Sequence, residues 1–264
     1  MSPLSSSKLK PKPQFTLNCL TLQVVVTEVL GGGRFYVQTV GDQKVASIQN
    51  QLAALSLKDA PIIGSFNPKK GDIVLAQFSL DNSWNRAMVN YKVSKYANHD
   101  FFFFYYHLWL FIVFRICVKI VNGPRGAVQS PEEEFEVFYI DYGNQEIVPY
   151  SAIRPVDPSV SSAPGLAQLC RLAYIKVPGK EEDFGRDAGE YLHTVTLESG
   201  KEFRAVVEER DTSGGKVKGQ GTGTELVVTL IAVDDEISVN AAMLQVSASP
   251  SLQLLQNLRV KSIV

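Results

Sequence analysis

Two short apolar runs rich in β-branched and aromatic residues, each edged by polar ones, sit either side of a glycine turn near the start of the chain. Val24-Val25-Val26-Thr27-Glu28-Val29 and Arg34-Phe35-Tyr36-Val37-Gln38 flank Gly31-Gly32-Gly33, a pattern that predicts a β-hairpin. The triple glycine lacks the following Lys-Ser/Thr and helix that a phosphate loop requires, so it reads as a turn. The period then changes. Across Asp42–Leu57, the residues Val45, Ile48, Leu52 and Leu55 recur at helical spacing, Asp42 can cap the start, and Pro61 closes the segment. With Gln43, Ser47 and Asn50 on the opposite side, the single apolar stripe predicts a helix lying on a core. A partner-binding stripe is the alternative.

Strand patterns return at Ile73–Phe78, Ser83–Met88, Glu134–Ile140 and Gln145–Tyr150, short enough and close enough to predict a small antiparallel barrel. Further along come a strand within Leu166–Tyr174, an acidic helix at Glu181–Glu190, and strands at Tyr191–Leu197, Lys201–Glu208 and Glu225–Val233. Ile237–Gln245 reads as the start of a helix that stops short. Gly214–Gly223 reads as a flexible loop carrying Lys216 and Lys218, and its glycines are too weak a pattern for a nucleotide site. The fold class expected is mainly β with a few helices (α+β).

Composition narrows the function more than the fold. Of 264 residues, 45% are hydrophobic and 20% charged, enough apolar material for a real core. A net charge of −1 argues against binding nucleic acid through bulk electrostatics. Cys19, Cys117 and Cys170 have no metal-ligand spacing and are too few for a disulfide framework, which points to a reducing, cytoplasmic setting, with the nucleus also open. His99, His107 and His193 lack zinc spacing, so no metal or cofactor is expected. Residues 1–23, rich in Ser, Lys and Pro around Lys10-Pro11-Lys12-Pro13, read as a disordered leader without the charged-then-apolar order of a secretory signal.

The candidate chemistry lies at the ends of the barrel strands. Phe78 ends one strand, and Tyr139, Tyr142 and Asn144 surround the end of another. Aromatic rings converging at a barrel mouth turn their negative faces to a common space and attract a diffuse cation such as a methylated guanidinium. Each wall contributes about 0.5–2 kcal/mol, so useful affinity needs several together. Asn144 can accept from the remaining N–H groups of such a cation. Ordinary core and turn packing is the alternative for the same residues.

Phe138-Tyr139-Ile140-Asp141-Tyr142-Gly143-Asn144, preceded by Gly71–Phe78 and Trp84-Asn85-Arg86-Ala87, resembles a Tudor domain. The flanks resemble the split nuclease-like domain that wraps the Tudor barrel in Tudor staphylococcal-nuclease proteins. Ile231-Ala232-Val233-Asp234-Asp235-Glu236-Ile237-Ser238-Val239-Asn240 is especially similar to the plant members, and the likeness spans Val24–Met88 and Ile120–Gln245. The resemblance implies a Tudor SH3-like barrel at 61–154, set into a nuclease-like OB domain made of 24–60 and 155–245, with 246–264 an atypical tail. It implies a cage for dimethylarginine with Phe78, Tyr139 and Tyr142 as walls and Asn144 as the polar partner, hence arginine-methylated proteins in RNA-silencing or other ribonucleoprotein complexes. The fourth wall falls on Asn85, which is not aromatic, while Trp84 should point to the opposite face by strand alternation.

The family's nuclease domains use acidic calcium ligands on early strands and phosphate-binding arginines. Here Gly33–Gln38 offers no aspartate pair and Glu225–Leu230 no arginine, so the resemblance implies no catalytic residue in this chain. A fragment of a calcium-dependent RNA nuclease is the alternative. Arg204, Lys216 and Lys218 remain candidates for weak RNA contact through an OB-like surface, or they belong to an ordinary solvated face.

The block Val89–Lys119 fits neither half of the Tudor resemblance. Between Phe101 and Val118 all but His107 and Arg115 are apolar or aromatic, which is the threshold length for a membrane span. The sequence favours a translated intron instead. The Phe-, Tyr-, Leu-, Ile- and Val-rich run matches a pyrimidine tract, valine codons supply GT at Val89, and a lysine codon supplies AG at Lys119. Gln245-Val246-Ser247 has the same donor character. On that reading the native transcript joins the codons of Met88 and Ile120. A membrane-associated chain, an evolved insertion and a non-functional splice product are the alternatives. A loop thirty residues longer costs only about 1–2 kcal/mol, whereas burying each large apolar side chain gains roughly 1.5–3 kcal/mol, so the block is expected to drive self-association unless it packs.

Overall fold

In the computed structural model, residues 20–55, 62–93, 128–177, 179, 185–214 and 223–248 are described. The first hairpin forms as expected, from β1 (Leu20–Gly31) and β2 (Arg34–Thr39), with Val24, Val26 and Val29 buried along one face. β1 starts earlier than expected. Leu20–Gln23, read as leader, pair with Val207–Arg204. The helix follows as α1 (Gln43–Ala53), and the Asp42 carboxylate accepts from the Lys44 N–H at 2.8 Å, the expected cap. Ile48 and Leu52 are buried, while Leu55 lies beyond the helix and is exposed.

The middle of the chain builds a second, barrel-like unit, a five-stranded sheet of β3 (Ile73–Gln77), β4 (Trp84–Lys92), β5 (Glu134–Tyr139), β6 (Gln145–Pro149) and β7 (Ile153–Pro155). Their order in the sheet is β6-β5-β4-β3-β7. β4 does not end at Met88. Val89 pairs with Val137, Tyr91 with Glu136 and Lys92 with Phe135, so the first residues of the intruding block occupy the strand slot. Asn90 Nδ2 donates to Glu136 at 2.9 Å, the Tyr91 hydroxyl donates to the same carboxylate, and Lys92 pairs with Glu133 at 2.6 Å. Ile120-Val121, the competing continuation, and the apolar run 101–118 lie outside the described residues. No helix among the described residues is long and apolar enough to cross a membrane.

A short helix α2 (Pro158–Ser161) leads back to the first barrel through β8 (Gln168–Leu172), α3 (Gly185–His193), β9 (Phe203–Asp211), β10 (Glu225–Ala232) and α4 (Val239–Ala248). β1-β2-β8-β10-β9 closes a five-stranded barrel into which β3–β7 are inserted along the chain. One expectation fails here. Tyr191–Leu197 is not a strand, because Tyr191–His193 finish α3 and Thr194–Glu198 continue it as a π-helical turn. Its alternation of Thr and Val imitates a strand, but Ala188, Tyr191, Leu192 and Val195 pack on the barrel core at helical spacing. The Thr196 hydroxyl donates to the Leu192 carbonyl at 2.6 Å, which secures that turn. Buried Asn240 pins α4, accepting from Leu230 N–H at 2.9 Å and donating to the Ala173 and Val228 carbonyls.

Arg86 of β4 joins the two barrels. Its side chain is fully buried, and strand alternation sends it out of the β3–β7 unit toward the segment returning to β8. Nε and Nη2 donate to the Asp141 carboxylate at 2.9 and 2.5 Å. Nη1 donates to the Val160 and Ala163 carbonyls, and Nη2 also to the Pro164 carbonyl. All five guanidinium N–H groups are therefore used. Asp141 accepts a further bond from the Leu166 N–H, and its own carbonyl accepts from Gln38 of β2. Removing one partner strands a buried charge, at a cost of about 3–5 kcal/mol. Asp141→Asn should lower the urea unfolding free energy by an amount in or near that range; a change below about 1 kcal/mol would show that the pair is dispensable.

Candidate functional site

The residues named for the cage gather at one end of the second barrel. Phe78 follows β3 and Tyr139 ends β5, and their rings meet edge to face at 5.5 Å and 77°. Tyr142 packs half-buried against the same cluster. It is held by a tight turn in which the N–H groups of Tyr142 and Gly143 donate to the Tyr139 carbonyl at 3.1 and 2.8 Å. Asn144 is half-exposed on that turn, and its carbonyl accepts from the Tyr139 N–H at 2.9 Å. Asn85 is only 9% exposed on the inner face of β4, and its Nδ2 donates to the Ser83 carbonyl and hydroxyl at 3.3 and 2.9 Å. Its neighbour Trp84 does lie on the other face, packed with Ile48, Leu52 and Leu75, with the Arg154 guanidinium 4.8 Å from its ring.

Tyr139 is less open than a free wall would be, at 1% exposure. Its hydroxyl donates to Glu146 at 2.9 Å, and the same carboxylate accepts the Ser79 N–H at 3.4 Å. The sequence reading missed Glu146; the available signal was a lone carboxylate on β6, two residues past Asn144. It also missed Gln49 of α1, whose amide donates to the Tyr142 hydroxyl at 3.2 Å. Thus two of the rings are each tied at the phenolic end; Tyr142 stays half-buried, while the Tyr139 ring is covered.

The first barrel supports the turn from behind. Thr27 Oγ1 donates to the Tyr142 carbonyl at 2.6 Å, and Tyr36 packs against Phe138 at 5.7 Å. Gly143 has φ +90°, and a Cβ there would come 2.2 Å from the Tyr36 ring. Both backbone and space require glycine at that position.

Arg204 stands apart from the cage on β9, with Nη2 paired to Glu236 at 2.6 Å. Lys216 and Lys218 lie outside the described residues. Cys170 is buried, and burial with the nearby Glu225 charge pushes its thiol up to about 12, so it is not a thiolate at neutral pH.

A small aromatic-mouthed barrel inserted in a five-stranded OB-like barrel, with the connecting segments pinned by one buried ion pair, is the architecture of an extended Tudor domain. It superposes on the extended Tudor domain of Drosophila melanogaster Tudor-SN (p100) with TM-score 0.55 and 27% identity, over 83% of this chain and 79% of that one. The human TDRD1 extended Tudor domain, solved in complex with a symmetrically dimethylated peptide, shares the fold at TM-score 0.58 and 24% identity, over 88% of this chain and 91% of that one. A family model described as Tudor domain matches residues 20–100 and 124–174, leaving 101–123 between the matched pieces. The chain belongs to the Tudor domain family. It is 86% identical over 225 residues to Ribonuclease TUDOR 2 of Arabidopsis thaliana, a match covering 85% of this chain. That match covers 20% of the relative, as does the match to Ribonuclease TUDOR 1 of the same plant, so the chain spans about a fifth of the length of these curated relatives.

Burial, then the Glu146 hydrogen bond and charge, hold the Tyr139 hydroxyl well above the ordinary tyrosine value of 10.0. A raised folded-state value means the folded form keeps a proton that the unfolded chain loses. The associated stability is therefore complete below pH 10.0 and is lost as pH rises above it. Urea denaturation should show stability falling above that pH, and falling less steeply in Tyr139→Phe; equal slopes in the two proteins would contradict the assignment.

Proposed function

We propose that this chain is a non-catalytic reader module that binds dimethylarginine-bearing segments of protein partners, in complexes that regulate RNA. The observation that carries it is the convergence of Phe78, Tyr139, Tyr142 and Asn144 at one barrel end, with the phenol groups of two walls held by Glu146 and Gln49. Solved extended Tudor domains of the same fold hold dimethylated peptides, which supports the same ligand class here. Three aromatic contacts at about 0.5–2 kcal/mol each account for only part of a micromolar affinity of about 8 kcal/mol, so peptide backbone contacts must supply the rest. The ribonuclease of the relatives' name belongs to proteins of which the match covers only 20%, so cleavage is not assigned to this chain. Direct RNA contact is the weaker reading, since Arg204 is already paired with Glu236.

Phe78 is half-buried, so its truncation tests the wall without emptying the core. Phe78→Ala should weaken binding of a symmetric dimethylarginine peptide by about tenfold or more, measured by fluorescence anisotropy, with the urea midpoint little changed. Unchanged affinity would remove Phe78 from the site.

A further inference from the structure

Asn85 stands where the family resemblance expects an aromatic fourth wall, and its surroundings give that departure a chemical meaning. It opposes Ala76 on β3, two residues before Phe78, while Ala87, two residues further along β4, opposes Tyr139. Alternation therefore puts Asn85 on the same inner face as the Phe78 and Tyr139 rings, at the same end of the barrel. The Asn85 Nδ2 donates to both the carbonyl and the hydroxyl of Ser83, so its hydrogens are already engaged. The Oδ1 atom has no hydrogen-bond donor among the described residues and is not sealed from solvent. One side of the site thus offers apolar rings, and the side closed by Asn85 offers an amide acceptor.

Resting on the reader function above, we infer that Asn85 makes this a site for ω-monomethylarginine, which it binds at least as well as symmetric dimethylarginine. The two ligands differ at one terminal nitrogen. Symmetric dimethylarginine carries one methyl and one hydrogen on each. Monomethylarginine carries a methyl on one nitrogen and two hydrogens on the other. In a cage of four rings the second methyl leaves water against an aromatic face and strengthens binding. Against Asn85 it meets an oxygen instead, and takes the place of an N–H that the oxygen can accept. Symmetric dimethylarginine has one N–H to offer on that nitrogen and monomethylarginine has two, so the less methylated nitrogen suits the side that holds the acceptor. The methyl of the other nitrogen still packs among Phe78, Tyr139 and Tyr142.

Isothermal titration calorimetry of the full chain can decide this with one arginine–glycine peptide in unmodified, monomethylated and symmetrically dimethylated forms. For the wild type, the monomethyl peptide should bind as tightly as the dimethyl peptide or within about twofold of it. Asn85→Tyr, which supplies the missing ring, should shift the balance to a preference of about fivefold or more for the dimethyl peptide. Asn85→Ala, which removes the acceptor without adding bulk, should weaken the monomethyl peptide more than the dimethyl one, and it keeps the test valid if the tyrosine does not fit. A wild-type preference of about fivefold or more for the dimethyl peptide, or the same ratio of affinities in the wild type and a folded Asn85 variant, would overturn the inference. Failure of the reader function itself looks different: the wild type would bind neither methylated peptide more tightly than the unmodified one.

Discussion

The guanidinium of Arg86 has no water to turn to, and the architecture follows from how its five N–H groups are satisfied. Two go to Asp141, on the turn that carries Tyr142 and Asn144. Three go to the carbonyls of Val160, Ala163 and Pro164, in the stretch that leads from the Tudor barrel back into the OB-like barrel. A buried arginine with any donor unpaired would be costly, so the turn and the return segment have to arrive together. Asp141 extends the constraint by accepting the Leu166 N–H and, through its carbonyl, the Gln38 amide of β2. The cage turn is therefore fixed to both barrels at once. Contacts of Tyr36 with Phe138, and of Thr27 with Tyr142, then set its distance from the first barrel.

Rigidity of this kind matters for a weak cation site. Cation–π contacts return little per ring, so walls that had to be ordered on binding would consume much of the gain. Here the Tyr139 hydroxyl is held by Glu146 and the Tyr142 hydroxyl by Gln49 before any ligand arrives. Glu146 also brings a carboxylate to this end of the barrel, where the proposed ligand would carry its positive charge. The edge-to-face contact of Phe78 and Tyr139 shows that the walls touch one another in the unliganded chain. Phe78 follows β3 at the start of a turn, where its N–H donates to the Ser83 carbonyl and its own carbonyl accepts from the Asn82 N–H, both at 2.9 Å.

Short β-prone runs bounded by clear turns were legible in the sequence: the first hairpin, β3, β5 and β6 all lie where those runs put them. The aromatic positions were legible too, because Phe78 and Tyr139–Asn144 stand at strand ends. β7 and α2 are too short to generate a period. Thr194–Leu197 was misread because β-branched residues in alternation look the same in a strand and in a helix that packs on a core. Leu20–Gln23 alternates as well, but its partner β9 lies far along the chain. The end of β4 could not be found at Met88, because Val89 and Tyr91 serve a strand as well as the residues expected there. Arg86 was the least legible of all. An arginine within a strand normally faces solvent, and only the tertiary fold reveals the three carbonyls that bury it.

The account stands or falls on a cation held among these particular side chains. NMR titration of the full chain with free symmetric dimethyl-L-arginine would test that most directly. The expected result is shifts in the ring signals of Phe78, Tyr139 and Tyr142 and in the Asn144 amide, with the Arg204 region unmoved and with a far weaker response to unmethylated arginine. Shifts confined to the OB-like barrel, or equal responses to the methylated and unmethylated amino acids, would contradict it.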